Sequence, residues 1–133
     1  MKTILEHLKD TAAAILGNDF TVTTGSGKSD ADFAKSVTSG PKAVYISWNG
    51  HRVNSAGRNY AEQVELYMFT IKVSTGLDAR EYTKAVHDHF AAEIRANRQV
   101  IDESGLPRII RLHNSYVEDK DGFTIVTITV EVA

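Results

Sequence analysis

The sequence predicts an α+β fold in one domain over residues 1–133, with a mixed, mostly antiparallel sheet of about four to five strands packed against one long helix and one or two shorter ones. Three observations lead there. Apolar residues recur at helical spacing near the N-terminus and again from Tyr82 to Ile94. Two segments, 42–48 and 64–74, carry apolar side chains on both alternating faces. The segment Phe123–Val132, which follows an Asp-Gly pair, alternates apolar and polar from Val126 onward. The predicted order of elements is α-β-α-β-β-α-β-β.

The first helix rests on Ile4, Leu5, Leu8, Ala12, Ile15 and Leu16, with Thr3 and Glu6 at the separation of a capping box and Gly17-Asn18 as the stop. Phe20-Thr21-Val22-Thr23 reads as a short strand leading into a flexible stretch, Gly25-Ser26-Gly27-Lys28-Ser29. Ser29 or Asp30 then caps a short helix through about Val37, ended by Ser39-Gly40-Pro41. Lys42–Trp48 (KAVYISW) is apolar enough on both sides to sit inside a sheet, and Asn49-Gly50 closes it. From Asn49 to Glu62 the chain is polar and reads as its longest exposed loop.

Val64–Ser74 (VELYMFTIKVS) is a long strand with Tyr67, Phe69, Ile71 and Val73 on one face, while Val64, Leu66 and Met68 make the first half of the other face apolar. Leu77, Asp78, Glu81 and Tyr82 combine a cap, a reciprocal carboxylate and a hydrophobic staple. The main helix follows, through Tyr82, Val86, Phe90 and Ile94, and is predicted to end before Gly105 and Pro107. Arg108–Val117 and Phe123–Val132 flank the Asp121-Gly122 turn of a hairpin, with Val126, Ile128, Val130 and Val132 facing inward and Thr127, Thr129 and Glu131 facing water.

Composition removes several function classes. A net charge of −2 supplies no general field for a polyanion, so bulk nucleic-acid binding is disfavoured. Without cysteine there are no disulfides, thiolate metal sites or cysteine nucleophiles. Glu6, His7, Lys9 and Asp10 interrupt the apolar core that a secretion signal would need. No apolar run approaches the roughly 18 residues that span a bilayer, and a soluble protein is expected.

Motifs with chemical meaning are few. Gly25-Ser26-Gly27-Lys28-Ser29 ends like a phosphate-binding loop, but Val22 stands where that motif needs its first glycine, and Asp30 and Asp32 would meet the anion. His87 and His89 are two residues apart on a helix whose successive side chains diverge by about 100°, so they do not share one metal. His89 and Glu93, four apart, make an ordinary side-chain pair. Arg95, Arg98, Arg108 and Arg111 gather around the end of the main helix, where cations meet its dipole. Neither Gly-x-Ser-x-Gly nor His-Glu-x-x-His occurs. No catalytic residues, cofactor or metal are therefore expected. The candidate interface is the polar, partly basic set His51, Arg52, Arg58, Asn59 and Tyr60.

From Ser29 to Gly50 (SDADFAKSVTSGPKAVYISWNG) the pattern is an acidic start, an aromatic, a small helix, a proline, then an apolar strand ending in an aromatic and glycine, carried by Phe33, Pro41, Val44, Ile46, Trp48 and Gly50. It resembles the small Mu-like phage tail protein family, which also continues with a polar loop, a long apolar strand, an amphipathic helix and a closing β-hairpin. The resemblance implies a tail-terminator-like fold and a structural role in the virion. The expected assembly is a homo-oligomeric ring, commonly of six subunits, capping the tube and sheath of a contractile tail or tail-like particle. Its partners would be tube, sheath, connector and neck proteins, with DNA passing through the lumen without specific binding, and no membrane. Assembly would take place in the host cytoplasm. The loop from Asn49 to Glu62 and the sheet edges would meet neighbours. Two other classes remain beside it: a small-ligand or nucleotide-binding enzyme using Lys28, Ser29 and His51, and a stand-alone adaptor that binds one protein through a β-edge.

Overall fold

The computed structural model describes residues 2–26, 42–55, 61–74, 79–120 and 122–133. They form an α+β domain of two helices and a mixed five-stranded sheet, with a separate two-stranded ribbon. In chain order the elements are α1 (Ile4–Leu16), β1 (Thr21–Ser26), β2 (Lys42–Ser55), β3 (Ala61–Ser74), α2 (Ala79–Arg95), β4 (Val100–Ile101), β5 (Pro107–Arg108), β6 (Ile110–Lys120) and β7 (Phe123–Val132). The large sheet runs β1-β2-β3-β7-β6, antiparallel except for the parallel edge pair β1–β2. Among the described residues no helix is long and apolar enough to cross a membrane.

Helix α1 begins as its sequence dictates. The Thr3 hydroxyl accepts from the Glu6 amide and the Glu6 carboxylate accepts from the Thr3 amide, both at 3.2 Å, which satisfies two amides that have no partner inside the helix. It ends at Gly17, whose φ of +84° an L side chain rarely adopts. Ile4, Leu8, Ala12 and Leu16 form its buried stripe. Helix α2 buries Val86 and Phe90 and leaves Ile94 43% exposed, so the predicted spacing-of-four series loses its last member. The helix stops at Arg95, before Gly105 as expected and ten residues short of it. The Asn97 amide donates to Ile94 O and the Arg98 amide to Glu93 O, each at 3.0 Å, with Asn97 left-handed at φ 52°, a Schellman-type end. That early stop frees the chain to form the β4–β5 ribbon, which the sequence did not suggest.

Both helices pack on one face of the sheet. Val44, Ile46, Phe69, Ile71, Val126, Ile128 and Val130 share a core with α1 and α2 at 1% exposure or less. Each such side chain contributes roughly 1.5–3 kcal/mol by burial. The Phe69 and Phe90 rings, 5.9 Å apart, tie α2 to the sheet centre. Phe20 and Tyr82 meet edge to face at 5.0 Å, with the Lys42 ammonium 5.5 Å from the Tyr82 ring centre, joining the entry to β1 to the start of α2.

The far face differs. There one row crosses all five strands as Thr23, Tyr45, Thr70, Thr127 and Tyr116, a hydroxyl on every strand. Thr127 and Glu131, expected in water, are buried at 1% and 8% exposure: Arg52 and His113 reach over Glu131, and Thr127 lies between Thr70 and Tyr116 in the row. Burial lowers the pKa of the Lys72 ammonium, which lies 4.4 Å from the Phe123 ring centre. Gly25 is required on this face: a Cβ there would stand 2.3 Å from the Tyr45 hydroxyl.

Several predicted boundaries move. Gly25 and Ser26 belong to β1 rather than to a flexible stretch. Strand β2 does not close at Asn49-Gly50. It continues to Ser55 through a bulge in which Asn49 and Gly50 stand opposite Leu66, Gly50 taking φ +97°. Much of the expected loop 49–62 is therefore strand. The final hairpin begins at Ile110, Arg108 having joined β5, and its turn has Gly122 at φ +81°. The short helix expected from Ser29 or Asp30 to Val37, the Gly27-Lys28-Ser29 part of the glycine-rich stretch and the Leu77-Asp78 cap lie outside the described residues.

Candidate functional site

Of the predicted interface set, His51 and Arg52 lie on β2, while Arg58, Asn59 and Tyr60 lie outside the described residues. Alternation sends His51 and Arg52 to opposite faces of the sheet. Arg52 pairs with Glu131 on β7, reaching across β3, and His113 Nδ1 approaches the same Glu131 oxygen at 3.1 Å from the bulge in β6. Arg52 is thus part of the fold's internal wiring, a correction to its reading as a loop side chain. His51 packs edge to face on Trp48, ring centres 5.5 Å apart.

His51 overlooks a depression whose walls include Trp48, Glu65, Tyr67, Glu103 and Arg108. Arg108 organises its floor. The guanidinium donates to Asp102 at 3.1 Å, to Glu65 at 3.4 Å and to the carbonyl oxygens of Val132 and Ala133 at 3.2 Å each. Tyr67 donates to the other Glu65 oxygen at 2.7 Å. Burial first, then that bond to a carboxylate, hold the Tyr67 hydroxyl well above its ordinary pKa. No single motif announces this cluster, since its members come from β3, β5 and the ribbon turn.

Asp102 fixes that turn. One carboxylate oxygen accepts from the Ser104 amide at 2.8 Å and the Leu106 amide at 3.0 Å, and the other accepts from Arg108. The Leu106 amide, with Arg108 and the Ser104 amide, holds the Asp102 pKa below the usual carboxylate range. The β4–β5 ribbon is consequently a stiff projection, docked on α1 through the His7 ring and Ile101 O at 3.0 Å. It presents Ile101 and Leu106, 47% and 58% exposed, beside the exposed Glu103.

A second surface follows the seam between α2 and β6, which with β1 is an edge strand of the sheet. Two depressions lie along it, one of about 570 Å³ bounded by Arg80, Thr83, Lys84, His87 and Val117, the other of about 420 Å³ bounded by Ala91, Ile94, Arg95, Arg111 and Leu112. Tyr116, 52% exposed, stands on the far face of β6, while Val117 in the seam is 59% exposed. His87 Nε2 is buried there without a hydrogen-bond partner. The predicted arginine group divides: Arg95 ends α2, Arg98 lies 3.5 Å from Glu93, Arg108 is in the ribbon network and Arg111 is on β6. His89 and Glu93 form the expected pair at 3.7 Å. Among the described residues no three His, Asp or Glu side chains converge on a metal position.

No protein-family model matches the chain, and no curated protein matches it in sequence.

Proposed function

We propose that this chain is a structural protein of a contractile phage tail or tail-like particle, a terminator or completion subunit that caps tube and sheath as a ring. The observation that carries the reading is that the exposed apolar side chains of the described residues fall on separate surfaces, Ile94 and Val117 beside the α2–β6 seam, Tyr116 on the far face of β6, Val53 on β2, and Ile101 and Leu106 on the β4–β5 ribbon. A subunit that joins head to tail needs two different faces, whereas a two-fold dimer needs only one. The open edge of β6 adds a row of backbone donors and acceptors, the ordinary means by which one chain extends another's sheet. The order of elements, ending in a hairpin after an amphipathic helix, agrees with the family resemblance.

Tail tubes assembled from purified tube protein, mixed with this chain and imaged by electron microscopy, test the proposal. A discrete ring at the tube ends is expected. Tubes whose ends stay bare while the chain remains unattached would count against it, and a defined one-to-one complex with some other protein would favour the adaptor reading.

A further inference from the structure

We infer that the depression between Trp48 and the ribbon turn binds a guanidinium group, supplied either by an arginine side chain of another polypeptide or by a small free guanidine. The strand order builds it. β3 lies between β2 and β7, so Glu65 and Tyr67 form its middle, with Trp48 and His51 of β2 on one side. On the other side stand Glu103 and Arg108, the latter donating to Val132 O of β7. A volume of about 300 Å³ is at the small end of ligand pockets and suits one side chain or a compact head group. The inference concerns a single copy of the chain and does not depend on the tail reading.

How each charged group is partnered decides the sign of the ligand. Every nitrogen of Arg108 already donates within the fold, Nε to Ala133 O, Nη1 to Asp102 and Nη2 to Glu65 and Val132 O, so its charge is committed to the protein. Glu103 is different. It is exposed, and among the described residues no hydrogen bond or ion pair holds it. Its charge reaches the Tyr67 hydroxyl, where, after burial and the Glu65 bond, it helps to keep the proton in place. Glu65 accepts from Arg108 and Tyr67 on separate oxygens, and a carboxylate oxygen accepts more than one bond. The first turn of α1 also lines the depression and already holds the Glu6 carboxylate in its capping box. A cation therefore meets an unengaged carboxylate where an anion meets none but engaged donors. Trp48 narrows the choice. A planar, weakly hydrated guanidinium stacks on an aromatic ring while its N–H groups donate in plane to a carboxylate, which an ammonium does less well. Asp102 fixes the turn that carries Glu103 through the Ser104 and Leu106 amides, so little conformational freedom is lost on binding.

Trp48 is the only tryptophan of the chain, so its fluorescence reports on the site directly. The test titrates the full chain with N-acetyl-arginine amide, its lysine counterpart and its uncharged citrulline counterpart at matched ionic strength. The arginine probe is expected to change the emission saturably, the lysine probe to bind about fivefold more weakly and the citrulline probe to leave the emission unchanged. Glu103→Gln removes an exposed charge, keeps the fold by circular dichroism and should weaken arginine binding about fivefold. Glu81→Gln, in the first turn of α2, should bind like wild type. An arginine probe without a saturable response would overturn the inference. So would citrulline or lysine probes that bind as tightly as arginine, or a Glu103→Gln chain that binds like wild type. A Gly-Arg-Gly tripeptide bound more tightly than methylguanidine supports the site with a polypeptide as the source, and equal binding supports it with a small free guanidine.

Discussion

The two faces of the sheet are both buried, yet they are built from different chemistry. Beneath α1 and α2 the strands present Val, Ile and Phe, and the face is held by apolar contact. On the other side the same strands present Tyr45, Ser47, Thr70, Lys72, Thr127 and Glu131, all at 8% exposure or less. The first face tolerates little loss of volume. The second depends on how well each polar group is partnered, since an unpaired buried hydroxyl costs stability that an apolar replacement would not.

Three substitutions probe this difference, in order of expected effect. Phe69→Ala removes the ring that meets Phe90 at the centre of the helix face and should cost about 3–5 kcal/mol in denaturant unfolding. A loss under about 1 kcal/mol would mean that this core repacks freely. Asp102→Asn keeps an oxygen for the turn amides but loses the charge that faces Arg108. Because the folded state depresses the pKa of Asp102, its contribution is fully present above the ordinary carboxylate value of about 3.9 and fades as pH falls through the lower folded value. Wild type should therefore be the more stable at neutral pH, with the two melting curves converging in acid. A gap unchanged from neutral pH into strong acid would contradict this.

Thr70→Val is the smallest and the most telling. Thr70 Oγ1 is buried without a hydrogen-bond partner, so an isosteric methyl should be neutral or stabilise by up to about 1 kcal/mol. A clear loss on thermal melting would show that the hydroxyl row across the far face is a working network. The contrast between the two faces would then be one of mechanism as well as of composition.

Much of the helix face was legible because its signals are local. The capping box at Thr3 and Glu6, the glycine stop at Gly17, the doubly buried run from Ala43 to Ser47 and the turn at Gly122 each follow from a few neighbouring residues. The far face was not, because alternation marks Thr127 and Glu131 as polar without saying that side chains of distant strands, such as Arg52 and His113, reach over them. Bulges escaped for a similar reason. Asn49-Gly50 has the composition of a turn, and only pairing with β3 carries β2 past it. The ribbon strands are two residues each, too short for any periodicity, and Asn97 ends α2 through a left-handed geometry that glycine more often supplies. Of the candidate interface, His51 and Arg52 were found by residue type, but the partnership of Arg52 with Glu131 spans 79 positions in sequence. A sheet edge was expected to meet neighbours, but exposed Ile94 and Leu106 look like any other apolar residues until the chain is folded.

Native mass spectrometry of the wild-type chain, alone and with tail tubes, tests most directly whether this protein works by assembling with itself. A closed ring, seen as one discrete multiple of the chain mass that persists on the tubes, is the predicted result. A monomer at every concentration, with tubes and without, would contradict it.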